Sequence, residues 1–367
     1  MNSVRIVQVG LGTIGGEVVR QILANRSRWA SEGLDVGVAA VVTTRCAIHA
    51  GGEPIAEDLL ARLVDSRVAG ESLRNAAESL GLTVVDRANF DLSPLDTERP
   101  IVLDAAAGAE TARIGVSALQ VGGRAIYSNK APMALDKADQ SAQRLWAGAR
   151  TGHVRYETTC GAGLPVISTL ASLLDTGDRV IEITGCLSGT LGAIFSDIAA
   201  GSPFSQAIAA AKEAGYTEPD PRDDLSGLDV ARKALILART IGRDVDMADV
   251  TVESLVPESL ADCSVSSFLE RIADHNGALA DRNAEAQSGG KALKYVAIVP
   301  ADGPIRVGMQ AVDTSTVLGA LQGPENIIAI RTERYDRYPL TISGPGAGAQ
   351  VTAAGMIADL LQIAKAG

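Results

Sequence analysis

Short apolar runs alternate with stretches of helical periodicity along the first third of the chain. Residues 4–9, 36–42, 101–104 and 125–127 read as buried strands, and residues 14–23, 73–80 and 112–119 place apolar side chains at helical spacing between them. Strand followed by helix, repeated, predicts a parallel sheet covered by helices, because a parallel connection must cross over the sheet. A helix over 137–149 is expected to lead out of this domain. Beyond it the pattern changes to longer helices with strands at 180–184, 294–299 and 305–310. Near the end, 339–343 reads as a strand, the glycine-rich SGPGAGAQ follows, and 351–364 is an amphipathic helix able to return to the first domain. The predicted layout is therefore a discontinuous first domain, 1–137 with 339–367, and a second domain, 138–338.

Gly10-Leu11-Gly12-Thr13-Ile14-Gly15 lies between the first strand and the first helix. In that context Gly10 permits a tight turn, Gly12 lets backbone approach a pyrophosphate, and Gly15 lets helix pack on strand, with phosphate charge at the helix N-terminus. The predicted fold class is α/β: an N-terminal Rossmann dinucleotide-binding domain completed by the C-terminal helix, plus an α+β catalytic and dimerisation domain. A site selective for NAD carries a carboxylate at the end of the second strand to bind the ribose 2′-hydroxyl. Here that strand ends Val42-Thr43-Thr44-Arg45. With no acid and an arginine, a 2′-phosphate can be accepted, and NADP is favoured over NAD; a solvated loop residue is the plain alternative for Arg45.

The 367 residues exceed the roughly 250–300 at which single cores stop growing, in keeping with two domains. A net charge of −11 excludes the basic footprint that nucleic acid or an anionic membrane surface requires. No apolar run reaches the roughly 18 residues of a membrane span, and the first residues run straight into a strand, so neither export nor membrane embedding is expected. Cys46, Cys160, Cys186 and Cys263 are scattered without a C-x-x-C pair, which points to reduced thiols in a cytoplasmic protein.

The densest chemistry lies in GYTEPDPRDDLSGLDVARK, residues 215–233. Pro219 and Pro221 are expected to fix an extended loop carrying Glu218, Asp220, Asp223 and Asp224, and Ser226 to cap the helix that follows. On that helix Asp229 and Lys233 stand at i, i+4 and share a face. Two readings fit: an S-x-x-D capping box beside an ordinary surface ion pair, or a proton-transfer group. Hydride transfer between an alcohol and a carbonyl needs a proton donor and acceptor at the oxygen, which lysine can supply, while Glu218 and Asp229 suit a substrate ammonium. Lys130 follows the strand at 125–127 and so stands at the carboxyl edge of the sheet, where open α/β sheets bind ligands; a surface lysine is the alternative. Glu157-Thr158-Thr159-Cys160-Gly161-Ala162-Gly163-Leu164 leaves a strand segment at 154–158 through a glycine-rich turn that can point carbonyls at a cation, or be no more than a turn.

Taken together, GLGTIGG at 10–16, SNKAPMA at 128–134, YETTCGAGLPVI at 156–167, GCLSGTLGAIF at 185–195 and the 215–239 stretch resemble homoserine dehydrogenase over nearly the whole chain. The resemblance implies NAD(P)-dependent interconversion of L-homoserine and L-aspartate 4-semialdehyde, a small-molecule step toward threonine, isoleucine and methionine. It implies Lys233 as the catalytic lysine, Lys130 as the second active-site lysine, and Glu218, Asp224 and Asp229 as acidic substrate-site residues beside the turn at Gly189 and Thr190. Gly10, Gly12, Thr13, Ile14, Gly15, Arg45, Ala106, Lys130 and Gly346 are implied at the cofactor. Glu157 with the carbonyls of Cys160, Ala162 and Leu164 is implied as a monovalent-cation site for sodium or potassium. One departure concerns 104–108: the family commonly has Thr or Ser after the strand-ending aspartate, where this chain has Asp104-Ala105-Ala106-Ala107-Gly108, which bears on cofactor choice. Feedback through an appended ligand-sensing domain is not expected, and a homodimer paired through the second-domain strands is.

Two other functions remain to be weighed. Cys160 could serve as the thiol of a semialdehyde dehydrogenase, which needs a base beside it. Alternatively, the run Ala105–Ala107 could mark a dinucleotide-binding protein without catalysis.

Overall fold

Seven strands build the first sheet: β1 (Asn2–Val9), β2 (Leu34–Val42), β3 (Cys46–His49), β4 (Thr83–Asp86), β5 (Ile101–Asp104), β6 (Arg124–Tyr127) and β7 (Val154–Arg155). Their order is β4-β3-β2-β1-β5-β6-β7 in a computed structural model that describes residues 2–95 and 99–366. From β2 through β7 the pairing is parallel. β2 is buried along its length except at Asp35, the continuous apolar pattern that a strand covered on both faces requires. The parallel strands are the predicted ones. The antiparallel strands β3 and β4 are additions, and the reason is local: only three residues separate β2 from β3, too few for a crossover, so the chain must turn back.

Helix Thr13–Ser31 packs against the C-terminal helix Ala349–Ala366. Ile6, Val18, Val19, Ile22, Val36 and Val38 share one core with Ala353, Met356, Ile357 and Leu360. Burying each large aliphatic side chain contributes about 1.5–3 kcal/mol, which ties the chain's last helix to its first.

The chain divides into two compact units, Met1–Gly163 with Gly348–Gly367, and Leu164–Ala347. These junctions differ from the expected 137/138 and 338/339. Helix Gln140–Arg150 packs on helix Ala112–Gln120 and on β7, so it stays with the first unit instead of leading out of it.

The second unit is a six-stranded sheet of β8 (Val180–Cys186), β9 (Val250–Val252), β10 (Lys291–Pro300), β11 (Ile305–Asp313), β12 (Glu325–Thr332) and β13 (Leu340–Pro345), ordered β13-β12-β8-β10-β11-β9. Neighbours are antiparallel except β9, which runs parallel to β11. β13, read from sequence as first-domain strand, pairs with β12 and belongs here. Helices Gly189–Ala199, Leu228–Thr240 and Asn276–Ser288 pack on β10. Among the described residues no helix is long and apolar enough to cross a membrane.

Candidate active site

The first unit builds a glycine cradle at the carboxyl end of β1. Gly10 adopts φ +84°, and its N–H donates to Val42 O at 2.8 Å, closing the turn. A Cβ on Gly15 would stand 2.0 Å from Gly10 O, so only glycine lets helix Thr13–Ser31 start this close to the turn. Gly12 is different: a Cβ there would meet nothing within 4 Å. It is the N-cap, and no side chain caps the N–H groups that Thr13, Ile14 and the rest of the first turn present. Uncapped N–H groups and the positive end of the helix dipole suit a phosphate. From beneath, fully buried Gln8 donates Nε2 to Gly10 O at 2.9 Å and holds the turn. Turn and helix start fit a dinucleotide's pyrophosphate.

A polar network supports the neighbouring loop. Asp104 ends β5 completely buried; its Oδ1 accepts from Ala106 N at 2.9 Å, and its Oδ2 from Thr111 Oγ1 at 2.5 Å and Asn129 Nδ2 at 3.3 Å. Burial pushes its carboxyl up to about 6 against these hydrogen bonds. Asn129 also donates to Gly108 O at 2.8 Å and caps the short helix Lys130–Met133, which fixes where Lys130 starts. The main chain of 105–106 lies about 3 Å from where a Gly10 Cβ would be, so Ala106 borders the cradle. Arg45 sits exposed in the turn between β2 and β3.

The second unit gathers the 187–190 turn, the 215–225 segment and the helix Leu228–Thr240. Lys233 is buried, and its Nζ donates to Leu187 O at 2.6 Å and pairs with Asp229 Oδ2 at 2.8 Å. Thr190, in the first turn of the helix beginning at Gly189, donates Oγ1 to Tyr216 O at 2.6 Å and to Asp224 Oδ1 at 3.0 Å. Asp224 Oδ2 accepts from Glu218 N at 2.8 Å. Burial holds the Asp224 carboxyl above its ordinary range, helped by the charges of Asp229 and Asp223 and opposed by these two hydrogen bonds. Glu218 itself is exposed.

Local structure here departs from expectation in two respects. Residues 215–225 are not extended throughout: Asp220 accepts from Arg222 N at 3.0 Å and starts the helical turn Pro221–Leu225, with Pro221 in the first position, where its missing N–H costs nothing. Ser226 is not the cap of the next helix. Gly227, at φ +72°, is; the Ser226 hydroxyl donates to Asp223 O at 2.8 Å and accepts from Leu228 N at 3.3 Å. No capping box forms, and Asp229 pairs with Lys233 instead.

The strand at 154–158 ends at Arg155, and Glu157–Thr159 is a single 3-10 turn. Glu157 is buried, and its N–H donates to Asp359 Oδ2 at 3.1 Å. Burial and the adjacent Glu157 charge push Asp359 up to about 7. Ala162 takes φ +53°, a left-handed conformation rare outside glycine, next to Gly161 at φ +84°. Cys160 is completely buried, a poor position for a thiol that must meet an aldehyde. Leu164 opens the second unit, its carbonyl accepting from Val166 N at 2.8 Å. Among the described residues no group of three or more His, Cys, Asp or Glu side chains could hold a metal ion. Gly346, also in the second unit, lies against Asn326: a Cβ on Gly346 would be 1.9 Å from Asn326 Cγ, and the fully buried Asn326 amide has no hydrogen-bond partner in the protein.

Gln8, Thr111, Asn129, Arg222, Asn326 and Asp359 were not singled out from sequence. For Gln8 and Asp359 a signal existed, a lone polar residue inside an apolar run: IVQVG for the first, MIADLL for the second.

Residues 10–158 match the NAD-binding domain of homoserine dehydrogenase, and residues 165–361 match homoserine dehydrogenase. Over 215 residues the chain is 48% identical to a chloroplastic bifunctional aspartokinase/homoserine dehydrogenase 2 of Arabidopsis thaliana, covering 58% of this chain and 24% of that protein. A bifunctional aspartokinase/homoserine dehydrogenase of Haemophilus influenzae is 34% identical over 355 residues, 96% of this chain and 42% of that one. The chain thus spans less than half the length of these curated relatives. The fold is that of a hyperthermophilic archaeal homoserine dehydrogenase solved in complex with NADPH, with a TM-score of 0.74 at 22% identity, covering 100% of this chain and 98% of that one. One match covers the unit with the glycine cradle and the other the unit with the lysine–aspartate pair, and on both counts the chain belongs to the homoserine dehydrogenase family.

Proposed function

We propose that the chain interconverts L-homoserine and L-aspartate 4-semialdehyde with a nicotinamide dinucleotide. The observation that carries this reading is Lys233: a buried ammonium held between Asp229 and the Leu187 carbonyl, beside the turn from which Thr190 reaches Asp224. The dinucleotide, when bound, supplies the hydride acceptor at nicotinamide C4. Lys233 exchanges the proton with the hydroxyl oxygen, directly or through water, as alcohol and aldehyde interconvert, and Asp229 holds the Lys233 side chain in place. The exposed Glu218 carboxylate suits the substrate ammonium, with Asp229 beside it. Asp224 joins Glu218 and Asp229 as an acidic substrate-site residue, and its bonds to Thr190 and to Glu218 N also hold the segment that presents Glu218. Gly189 and Thr190 supply the substrate-side turn, and Lys130 is the second active-site lysine.

For the cofactor, Gly10, Gly12, Thr13, Ile14 and Gly15 would hold the pyrophosphate, with Ala106 and Lys130 of the same unit beside the nucleotide. NADP is favoured because the β2–β3 turn has an exposed arginine, Arg45, and no acid to repel a 2′-phosphate. A sodium or potassium ion held by Glu157 and the carbonyls of Cys160, Ala162 and Leu164 agrees with the left-handed backbone at 161–162, which turns successive carbonyls. A cytoplasmic homodimer pairing through β10 and β11 completes the proposal.

The test follows reduced nicotinamide by absorbance with L-homoserine and either NADP or NAD, for wild type and Lys233→Ala. Homoserine-dependent reduction, reduced about a hundredfold or more in a variant that still binds cofactor, is the expected result. No reduction by wild type with either cofactor, and no oxidation of reduced cofactor with aspartate semialdehyde, would refute it.

A further inference from the structure

We propose that Arg222 is a positioning residue for the substrate side of the reaction, clamping the helical turn that carries Asp224; this rests on the homoserine dehydrogenase reading above. Its side chain is 16% exposed, and every donor nitrogen is engaged. Nε donates to Asp220 Oδ1 at 3.0 Å and Oδ2 at 3.1 Å, and Nη2 donates to Asp220 Oδ2 at 2.6 Å. Nη1 reaches three main-chain carbonyls of one distant segment: Leu260 at 3.2 Å, Ala261 at 2.7 Å and Cys263 at 2.7 Å. The guanidinium carbon lies 5.6 Å from the ring centroid of Phe268, which is fully buried.

A solvated surface arginine gains little from a single ion pair. This one spends a planar fork on a carboxylate, a fan of carbonyls and an aromatic face together, which only a guanidinium can do. The consequence for the site follows from helix geometry. Arg222 and Asp224 are two positions apart on the turn Pro221–Leu225, about 200° around the axis, so they leave it on opposite sides. The outer side is bolted to 260–263. On the inner side Asp224 meets Thr190 Oγ1 and Glu218 N. Two further bonds pin the same segment, Lys212 Nζ to Pro219 O at 2.7 Å and Leu255 N to Leu225 O at 2.9 Å, so the turn is fixed at both ends and Arg222 sets its outward position. Released from the clamp, the turn keeps buried Pro221 and Leu225 and these two bonds, but it loses every contact that sets its outer side, and with it Asp224, against 260–263.

The experiment compares wild type, Arg222→Lys and Phe268→Leu. In Arg222→Lys the KM for homoserine is expected to rise about tenfold or more, while kcat falls less and the KM for the dinucleotide stays unchanged, as a misplaced binding group requires. Phe268→Leu, which removes only the aromatic face, moves in the same direction by a smaller factor. Because Arg222 acts through Asp224, Arg222→Lys combined with Asp224→Asn is expected to lose less than the product of the two single losses. Hydrogen exchange provides a readout independent of turnover: amides of 216–225 exchange faster in Arg222→Lys, while those of β8 and β10 keep their protection. A folded Arg222→Lys with wild-type KM and wild-type exchange overturns the proposal, as does a loss that falls equally on cofactor and substrate or multiplies fully with Asp224→Asn. If wild type itself does not act on homoserine, the functional reading fails, and exchange in 216–225 still decides whether the clamp exists.

Discussion

Gly12 and Gly15 lie three residues apart in one loop, yet the structure separates what each does. At Gly15 an added Cβ would lie 2.0 Å from Gly10 O and 2.9 Å from Gln8 Nε2; the first is a backbone atom held by the turn, so relief requires moving the helix off the strand. Overpacking of this kind costs about 1–3 kcal/mol, and Gly15→Ala is expected to lose that much stability together with cofactor binding. At Gly12 an added Cβ meets nothing within 4 Å, and φ is −77°, which alanine adopts freely. Gly12→Ala should therefore change folding stability by less than about 1 kcal/mol. Its methyl, however, projects where the pyrophosphate must approach the main chain, and a loss of about tenfold to a hundredfold in dinucleotide affinity corresponds to about 1.4–2.7 kcal/mol. Urea unfolding and fluorescence titration with reduced dinucleotide, run on both variants, read the two quantities separately. A Gly12→Ala protein that binds cofactor like wild type would show that this turn does not receive the phosphates, and one destabilised as much as Gly15→Ala would show that the space beside Gly12 is not open.

The other predictions rest on buried polar groups. Asp104 is raised from 3.8 to about 6, so the folded state holds its proton more tightly than the unfolded chain, and its contribution is present at low pH and lost as pH rises through about 6. Relative to Asp104→Asn, wild-type unfolding free energy should fall by about 2 kcal/mol between about pH 4.5 and pH 7.5, and a pH-independent difference would contradict a burial penalty that outweighs the hydrogen bonds to this carboxylate. Gly346→Ala would place a Cβ 1.9 Å from Asn326 Cγ and should cost about 1–3 kcal/mol by thermal or urea unfolding. Adding Asn326→Ala makes room and should recover most of that loss; a double variant no more stable than Gly346→Ala would mean that the contact is not the cause. Asp359→Ala removes the acceptor of the Glu157 N–H and should lower stability by about 1–3 kcal/mol, read by thermal unfolding, with an unchanged midpoint counting against the bond.

The sequence by itself determined what depends on neighbours along the chain. The glycine cradle was legible because its parts are six consecutive residues after an apolar strand, and the steric need for glycine acts over that distance. Asp229 and Lys233 were legible as a pair because helical spacing alone brings them together, although whether Asp229 capped the helix or met the lysine stayed open until Gly227 proved to be the cap. Parallel strands followed from apolar runs alternating with helical stretches, since a parallel connection must cross over the sheet. Tertiary structure decided everything that needs a distant partner. Thr190 reaches Asp224 across 34 positions, Arg222 reaches Ala261 across 39, and Glu157 meets Asp359 across 202. No local rule selects these pairs, because a polar side chain enclosed by packing must bond to whatever group the fold places beside it, and that is fixed only when the strands and helices have assembled.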